Sequence, residues 1–192
     1  MRKLLTQERK VRLQRIFWMY LTNNFALSSM QDFKNVEPSL KCTFIPITLD
    51  NVHRVRDFRE EGRISQYLDK LANKEKGFFA EHNGKMVGSL WATINDTKLP
   101  VVARRYMKLG PNEALIHDGV TFEKSRGMRI GPYMMSQIIT ILFKEFGVSR
   151  IVFDVHFRNR ASMRMMDKLG LRMEHKVISV CALGKLVLQI CL

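Results

Sequence analysis

The spacing of apolar residues changes several times along the chain, and the changes predict a mixed α/β domain. Alternating apolar residues between turn residues predict strands, and apolar residues three or four positions apart predict helices. From residue 41 onward the predicted order is a strand, two helices, three strands, a helix, a strand, a helix and two strands. The predicted strands are 42–47, 77–81, 86–94, 113–122, 150–157, 173–182 and 185–192, and the predicted helices are 50–58, 64–71, 131–146 and 159–169. This order fits neither a doubly wound alternation nor a helix bundle.

Turn residues support several of these boundaries. Asn83-Gly84 is a strong signal for a two-residue hairpin between two strands. Pro132 stands at a tolerated position in the first turn of a helix, and Gly170 ends the helix that precedes it. The segment 98–111 holds two prolines and no clear period, so we predict a loop there.

The first 38 residues differ from the rest of the chain. Basic residues cluster before residue 16 and precede the apolar run 16–21. Four apolar residues fall at helical spacing: Leu13, Phe17, Tyr20 and Leu21. We therefore predict a basic amphipathic helical extension and a linker over 1–38, and a single domain over 39–192. Such a helix would dock on the domain or on a second subunit of a homodimer, or would make peripheral contact with an acidic membrane.

Charge narrows the class of partner. Thirty-two Lys and Arg residues against 18 Asp and Glu give a net charge of +14. This excess favours an anionic partner, such as a nucleic acid, an acidic lipid or a phosphorylated cofactor. A nucleic-acid-binding module would interleave aromatic and basic residues on an exposed strand face, and Arg104-Arg105-Tyr106 is the one candidate for such a run, so the sequence argues against this class.

The cysteines and histidines indicate a cytoplasmic protein without a metal. Three cysteines show no CxxC spacing, and the run 16–21 is too short for a signal-peptide core or a membrane span. We therefore expect a reducing, cytoplasmic environment. The five histidines match no metal-ligand spacing.

The segment 126–131, Arg-Gly-Met-Arg-Ile-Gly, joins a predicted strand to a predicted helix. Glycine lets the backbone turn tightly and approach a ligand, and a helix start presents unpaired N–H groups with a positive dipole end. Such a turn binds phosphate, and Arg126 and Arg129 add positive charge. Taken alone, the segment is equally compatible with an ordinary strand-to-helix turn. The nucleotide motifs GxxxxGK[ST] and GxGxxG are absent.

A second segment, 159–171, reads Asn-Arg-Ala-Ser-Met-Arg-Met-Met-Asp-Lys-Leu-Gly-Leu and is by itself a well-capped helix. Together the two segments closely resemble the GNAT superfamily of acetyl-CoA-dependent N-acyltransferases. The first motif of that family is Gln/Arg-x-x-Gly-x-Gly/Ala, and here Arg129 occupies the position of the first glycine. Its second motif is Asn-x-x-Ser, an aliphatic run, a tyrosine and Lys-Leu-Gly-Phe, and here Met166 occupies the tyrosine position.

The resemblance implies a GNAT-like fold with a central mixed sheet of six to seven strands, splayed between its fourth and fifth strands and flanked by helices. It implies acetyl-CoA, or another short acyl-CoA, as the co-substrate. The CoA pyrophosphate would lie on backbone amides of 128–132, and the pantetheine arm would pair with 119–121. The implied cofactor-binding residues are Gly119, Val120, Thr121, Arg126, Gly127, Met128, Arg129, Ile130, Gly131, Asn159 and Ser162.

Acyl transfer to an amine also needs a base. Strand alternation predicts that Glu113, His117, Gly119 and Thr121 share one face. The resemblance places the base on this strand, with His117 as the first candidate and Glu113 as the second. Asp154 and His156 on the next strand form a reserve pair.

The leaving thiolate also needs a proton donor. The resemblance implies a tyrosine for this role, but Met166 stands at that position and its thioether cannot donate a proton. Ser162 or Tyr133 would serve, or the thiolate would leave unassisted. The predicted function is acetylation of a primary amine on an unidentified acceptor. The basic charge, and Arg104-Arg105 in the loop on the expected acceptor side, suggest an anionic acceptor. A non-catalytic acyl-CoA-binding protein is the main alternative.

Overall fold

The structure, a computed structural model, describes residues 17–183 and 185–192. Within these ranges the strands are β1 (Phe17–Leu27), β2 (Thr43–Pro46), β3 (Lys76–His82), β4 (Lys85–Ile94), β5 (Val101–Arg104), β6 (Met107–Leu109), β7 (Glu113–Thr121), β8 (Arg150–His156), β9 (Met173–Ala182) and β10 (Lys185–Cys191). The α-helices are α1 (Arg63–Ala72), α2 (Ile130–Lys144) and α3 (Arg160–Lys168). Short 3-10 helices span Met30–Asp32, Val52–Asp57 and Glu123–Ser125.

Eight strands form one mixed sheet in the order β10-β9-β1-β8-β7-β4-β3-β2. Every neighbouring pair is antiparallel except β7 and β8, which are parallel. The predicted α/β class with a large mixed sheet is therefore confirmed. The sheet has one or two strands more than the six to seven predicted, because β1 belongs to it.

The helix predicted within 1–38 is not formed by the residues of that range that the structure describes, and β1 makes part of the predicted extension a strand of the main sheet. Strand β1 begins at Phe17 and pairs with β8 on one side and β9 on the other. The part of that prediction before residue 17 lies outside the described residues. Both faces of β1 are occupied, since Phe25 and Leu27 are buried in the core while Tyr20 stacks on Tyr106. Such a strand shows no clean alternation of polar and apolar residues.

Two local predictions have different outcomes. The β3–β4 hairpin is confirmed, with Asn83 and Gly84 at φ 49° and 74°, as a two-residue turn of this type requires. The segment 98–111 is not a simple loop, because β5 and β6 pair within it. Leu109 anchors this hairpin by packing on Leu115 and Val152.

Two layers cover the sheet. Helices α2 and α3 pack on one face, here called the α2 face, around Ile116, Ile138 and Phe153. Helix α1 and the 3-10 helix 52–57 pack on the other, the α1 face, around Tyr67 and Trp91. The β5–β6 hairpin lies on the α1 face as well, since it packs on Leu115 and Val152.

The predicted splay of the sheet lies between β7 and β8. These parallel strands pair only from Glu113 opposite Arg150 to Leu115 opposite Val152. Beyond that point they diverge and leave a wedge between them. The edge of β7 that faces β8 therefore has no strand partner over 116–121.

No helix of the described residues is both long enough and apolar enough to cross a membrane.

Candidate active site

The turn before α2 presents backbone N–H groups that no other part of the described chain uses. Gly127 has φ 85° and Arg129, the N-cap of α2, has φ 59°, so the chain passes twice through the left-handed region. No described residue accepts a hydrogen bond from the N–H groups of 128–131. Pro132 has no N–H, and the first helical bond runs from Tyr133 N to Arg129 O. An anion would find unpaired donors and the positive end of a helix dipole here.

This turn forms one wall of a cleft of about 580 Å³. All the predicted cofactor-binding residues line the cleft except Met128, whose side chain packs against the core. The lining also includes residues that the sequence did not single out: Leu90, Ser125, Pro132, Met134, Met135, Ala161, Arg164, Met165 and Lys168. Arg164 and Lys168 lie within the segment 159–171, where their spacing of four residues could have indicated a shared helix face.

The cleft is strongly cationic. Arg126, Arg129, Arg164 and Lys168 line it, and no Asp or Glu does. Among the described residues only Arg126 of these four has an ion-pair partner, Glu123 at 3.6 Å, and both side chains are well exposed. Exposed ion pairs of this kind contribute little, so the four positive charges remain available to a ligand.

A β-bulge in β7 changes which residues share a face. Trp91 of β4 lies opposite His117, but Ser89 lies opposite Val120, so β7 has one more residue than β4 between these pairs. Asp118 takes up the bulge with φ 50°. The prediction that Glu113, His117, Gly119 and Thr121 share one face is therefore wrong for the last two.

The two faces of β7 can be assigned from contacts. Thr121 lies opposite Gly88, where a Cβ would meet Met134 of α2 at 2.9 Å, so Thr121 faces α2. Gly119 borders Leu90 on the same face, and both residues line the cleft. His117 lies on the α1 face, beside Trp91. One strand thus serves the cleft and the opposite face of the sheet.

His117 is enclosed by a network of charged groups, with 9% of its side chain exposed. Its Nε2 lies 3.0 Å from Thr93 Oγ1 and 3.3 Å from Glu75 Oε2. Its Nδ1 lies 3.8 Å from Asp118 Oδ2, and Lys70 Nζ lies 2.6 Å from the same oxygen. Sequence patterns did not indicate this network, since Lys70 and Glu75 come from the end of α1 and the start of β3.

The network shifts the pKa values of its members in opposite directions. Burial opposes the charging of His117, but its contacts with Asp118 and Glu75 outweigh burial and raise its pKa above the usual value. Burial would raise the pKa of Glu75, but its contacts with His117 and Lys70 lower it. The nearby imidazole of His117 is the main reason that the pKa of Asp118 is strongly lowered. His117 is the titratable base nearest to neutral pH in this network.

The structure does not bring Glu113 to the cleft or to the wedge. Its carboxylate accepts a hydrogen bond from Gly110 N at 2.7 Å and pairs with Arg150 at 3.1 Å. These contacts lie at the end of β7 that pairs with β8, far along the strand from His117. Glu113 thus links the loop before β7 to Arg150 of β8, which is a structural role and not a catalytic one.

Asp154 and His156, the reserve pair on β8, lie in different surroundings. Asp154 lies two residues past the last β7–β8 pair, and its side chain is 5% exposed. The Tyr106 hydroxyl donates a hydrogen bond to it, and Arg104 Nε lies 3.2 Å away. His156 is exposed, stacks on Phe157 and accepts a hydrogen bond from Arg158 N.

The candidates for leaving-group acid differ in position. Met166 is 2% exposed and belongs to the core, so a side chain at this position does not line the cleft. Tyr133 is also buried and donates its hydroxyl to Cys42 O at 3.2 Å. Ser162 does line the cleft, and its N–H is held by Asn159 Oδ1 at 3.1 Å.

The part of the chain that the structure describes contains no group of three or more His, Cys, Asp or Glu side chains placed to hold a metal ion.

Fold, cleft and motifs together are those of a GNAT-like domain. Residues 40–171 match the acetyltransferase (GNAT) family. The chain belongs to this family. No curated protein matches it.

Solved structures show the same fold at low sequence identity. A GCN5-related glucosamine N-acetyltransferase region of a fungal multi-domain β-N-acetylglucosaminidase superposes with a TM-score of 0.60 and 16% identity, over 90% of this chain and 22% of that one. A GCN5-related N-acetyltransferase from Kribbella flavida gives 0.57 and 12% over 92% of this chain and 63% of that one. The acetyltransferase AAC(6')-Iy, in complex with a bisubstrate analogue built on CoA, gives 0.52 and 11% over 66% and 88%. The chain spans less than two thirds of the length of the first two proteins.

Proposed function

We propose that this protein transfers an acetyl or other short acyl group from acyl-CoA to a primary amine. The observation that carries the proposal is the cleft between α2 and α3. It combines unpaired backbone N–H groups, four cationic side chains and no carboxylate, and it opens onto the free edge of β7. Few ligands other than one with several phosphates and an extended polar arm match this combination.

The phosphates of the cofactor would occupy the turn 126–131. Its N–H groups and the α2 dipole stabilise a pyrophosphate, and Arg126 and Arg129 add charge-assisted contacts. The pantetheine arm would lie along β7 at 119–121, where the backbone has no strand partner on the side of β8. Asn159 and Ser162 line the same cleft and would contact the arm from the α3 side.

The chemistry would take place in the wedge. The amine nitrogen attacks the thioester carbonyl carbon, the carbon–sulfur bond breaks, and the CoA thiolate leaves while the amine loses a proton. An alkyl ammonium has a pKa of about 10.4, so forming the neutral amine at pH 7 costs roughly 4–5 kcal/mol. His117 would accept the proton, since it lies on the α1 face two residues past the last β7–β8 pair.

Two sets of observations bear on the chemistry of the acceptor. Arg104 and Arg105 were a reason to expect an anionic acceptor, but Arg104 faces Asp154 and Arg105 stacks on Trp18. Of the similar structures, one is a glucosamine N-acetyltransferase region and another holds an analogue with a neamine part, and both glucosamine and neamine contain an amino sugar. Amino sugars are therefore the first primary amines to screen.

A non-catalytic acyl-CoA-binding protein is the second candidate. It is favoured by the buried Met166 and by the enclosed imidazole of His117. Both candidates require the cofactor site, and only the enzyme releases CoA thiol in the presence of an amine. Thiol release from acetyl-CoA with an amino-sugar panel, in wild type and His117→Ala, would distinguish the two.

Calorimetric titration with acetyl-CoA tests the cofactor site directly. A Cβ on Gly131 would lie 3.5 Å from Met165 Sδ and Thr121 Oγ1, so the indole of Gly131→Trp would project between α2 and α3 and fill the cleft. We expect binding by wild type and loss of binding by this variant. Gly62→Trp is the matched control, because Gly62 is exposed at the start of α1 with open space around it. No binding by wild type, or equal binding by Gly131→Trp, would refute the proposed site.

A further inference from the structure

Two of the four cleft cations are not explained by a pyrophosphate at the turn 126–131. Arg164 and Lys168 line the opposite wall, on α3, four residues apart. Both are exposed, and neither has an ion-pair partner among the described residues. Like charges at this helical spacing repel each other. An anion between them would remove that repulsion.

The direction of α3 shows where such an anion would lie. The helix begins after the end of β8, at the wedge, with Asn159 as its N-cap. At 1.5 Å per residue, Arg164 and Lys168 lie about 6 and 12 Å along the axis from Arg160. They are thus progressively farther from the wedge, where the thioester would lie.

A second contact places the far end of α3 near the phosphate turn. The segment 34–39 makes a backbone hydrogen bond to each of these two places. Lys34 N donates to Leu169 O just after α3 at 2.8 Å, and Ser39 N donates to Met128 O in the turn at 3.0 Å. Five residues span at most about 18 Å, and Lys168 and Arg129 line the same cleft, so the end of α3 and the turn lie on neighbouring walls of it. The side chain of Lys34 also lies over Gly170, which adds a further positive charge at this end.

CoA carries a third phosphate, on the ribose, on the far side of the pyrophosphate from the thioester. If the pyrophosphate occupies the turn 126–131, this phosphate lies toward the end of α3. We infer that Arg164 and Lys168 bind the ribose 3′-phosphate and make the protein select CoA over 3′-dephospho-CoA. The inference rests on the proposed function, because it assumes acyl-CoA in this cleft.

Titration with CoA and with 3′-dephospho-CoA tests the inference by calorimetry at low salt. Wild type should bind CoA about tenfold more tightly than 3′-dephospho-CoA, the low end expected for charge-assisted contacts at exposed side chains. The double variant Arg164→Ala/Lys168→Ala should bind both ligands equally, with the affinity that wild type shows for 3′-dephospho-CoA. Arg160→Ala is the matched control, since Arg160 is exposed on α3 but does not line the cleft, and it should keep the wild-type preference.

Each other outcome contradicts a distinct statement. If wild type binds neither ligand, the proposed function fails and the inference fails with it. If wild type binds both equally, or the double variant keeps the preference, only the assignment of the 3′-phosphate is wrong. If the double variant loses affinity for 3′-dephospho-CoA as well, Arg164 and Lys168 act on another part of the cofactor. Unaltered binding of that ligand also shows that the variant is folded.

Discussion

Replacing Arg129 by glycine should stabilise the protein and weaken its binding of acetyl-CoA. Arg129 caps α2 with φ 59° and ψ 15°, in the left-handed region where a Cβ crowds the next carbonyl. A residue other than glycine costs about 1–2 kcal/mol there. Glycine would lose about 0.5–1 kcal/mol of that gain through its greater freedom in the unfolded chain. The net gain of about 0.5–1 kcal/mol should raise Tm by about 1–4 °C for a chain of 192 residues.

The same substitution removes one cation from the cleft and should weaken acetyl-CoA binding about three- to tenfold. Arg126→Gly is the matched control. It also removes a cleft cation, but from a residue with ordinary extended angles, φ −66° and ψ 150°. Thermal unfolding without ligand and calorimetry with acetyl-CoA measure the two effects. A Tm for Arg129→Gly no higher than that of Arg126→Gly would refute the strain argument, and unchanged affinity in both variants would count against a pyrophosphate at this turn.

Three further substitutions probe the core, the base and the strand of the cleft. Met166→Tyr places a larger, polar side chain where only 2% of the methionine is exposed. We expect the free energy of unfolding by denaturant to fall by about 1–3 kcal/mol and turnover not to rise. An unchanged midpoint of denaturant unfolding would contradict the burial of this position. Glu75→Gln removes a carboxylate that raises the pKa of His117. The pKa of the imidazole, measured by NMR titration, should therefore be lower in this variant than in wild type. An equal or higher pKa would show that Glu75 does not act on His117. Gly88→Ala brings a Cβ to 2.8 Å from a backbone carbonyl oxygen of β7. This contact should lower the free energy of unfolding by about 1–3 kcal/mol and weaken acetyl-CoA binding. Gly62→Ala is the control, and it should change neither quantity because the space around Gly62 is open.

The residues of the cleft between α2 and α3 could largely be predicted from the sequence because their signals are local. A glycine that needs a positive φ, a helix start and an N-cap residue each depend on a few neighbouring residues. Gly127 and Asn159 both have the conformations or contacts that these signals imply. The two motif segments then meet in one cleft because β7 and β8 are neighbours in the sheet, which the family resemblance supplied and the spacing alone did not.

Strand β1 could not be predicted in the same way. Its aromatic and aliphatic residues satisfy a helical period as well as a strand. Tertiary partners decide that this segment is a strand and not a helix. Strands β8 and β9 pair with its two edges, and Phe25 packs into the core of the α2 face. On the other face, the turn of the β5–β6 hairpin covers Trp18 and Tyr20. That hairpin was itself predicted as a loop, so neither element could indicate the other.

The β7 bulge explains both the error in the predicted catalytic face and the chemistry that the strand can support. Alternation is a rule of period two, and a single extra residue at Asp118 reverses it for every residue that follows. Without the bulge, His117, Gly119 and Thr121 would share one face, so the base and the two cleft-lining residues would lie on the same side of the sheet. With it, Gly119 and Thr121 line the cleft while His117 stays on the α1 face. A thioester in the wedge would then be open to an amine from the face opposite the cofactor, beside a base on the same strand.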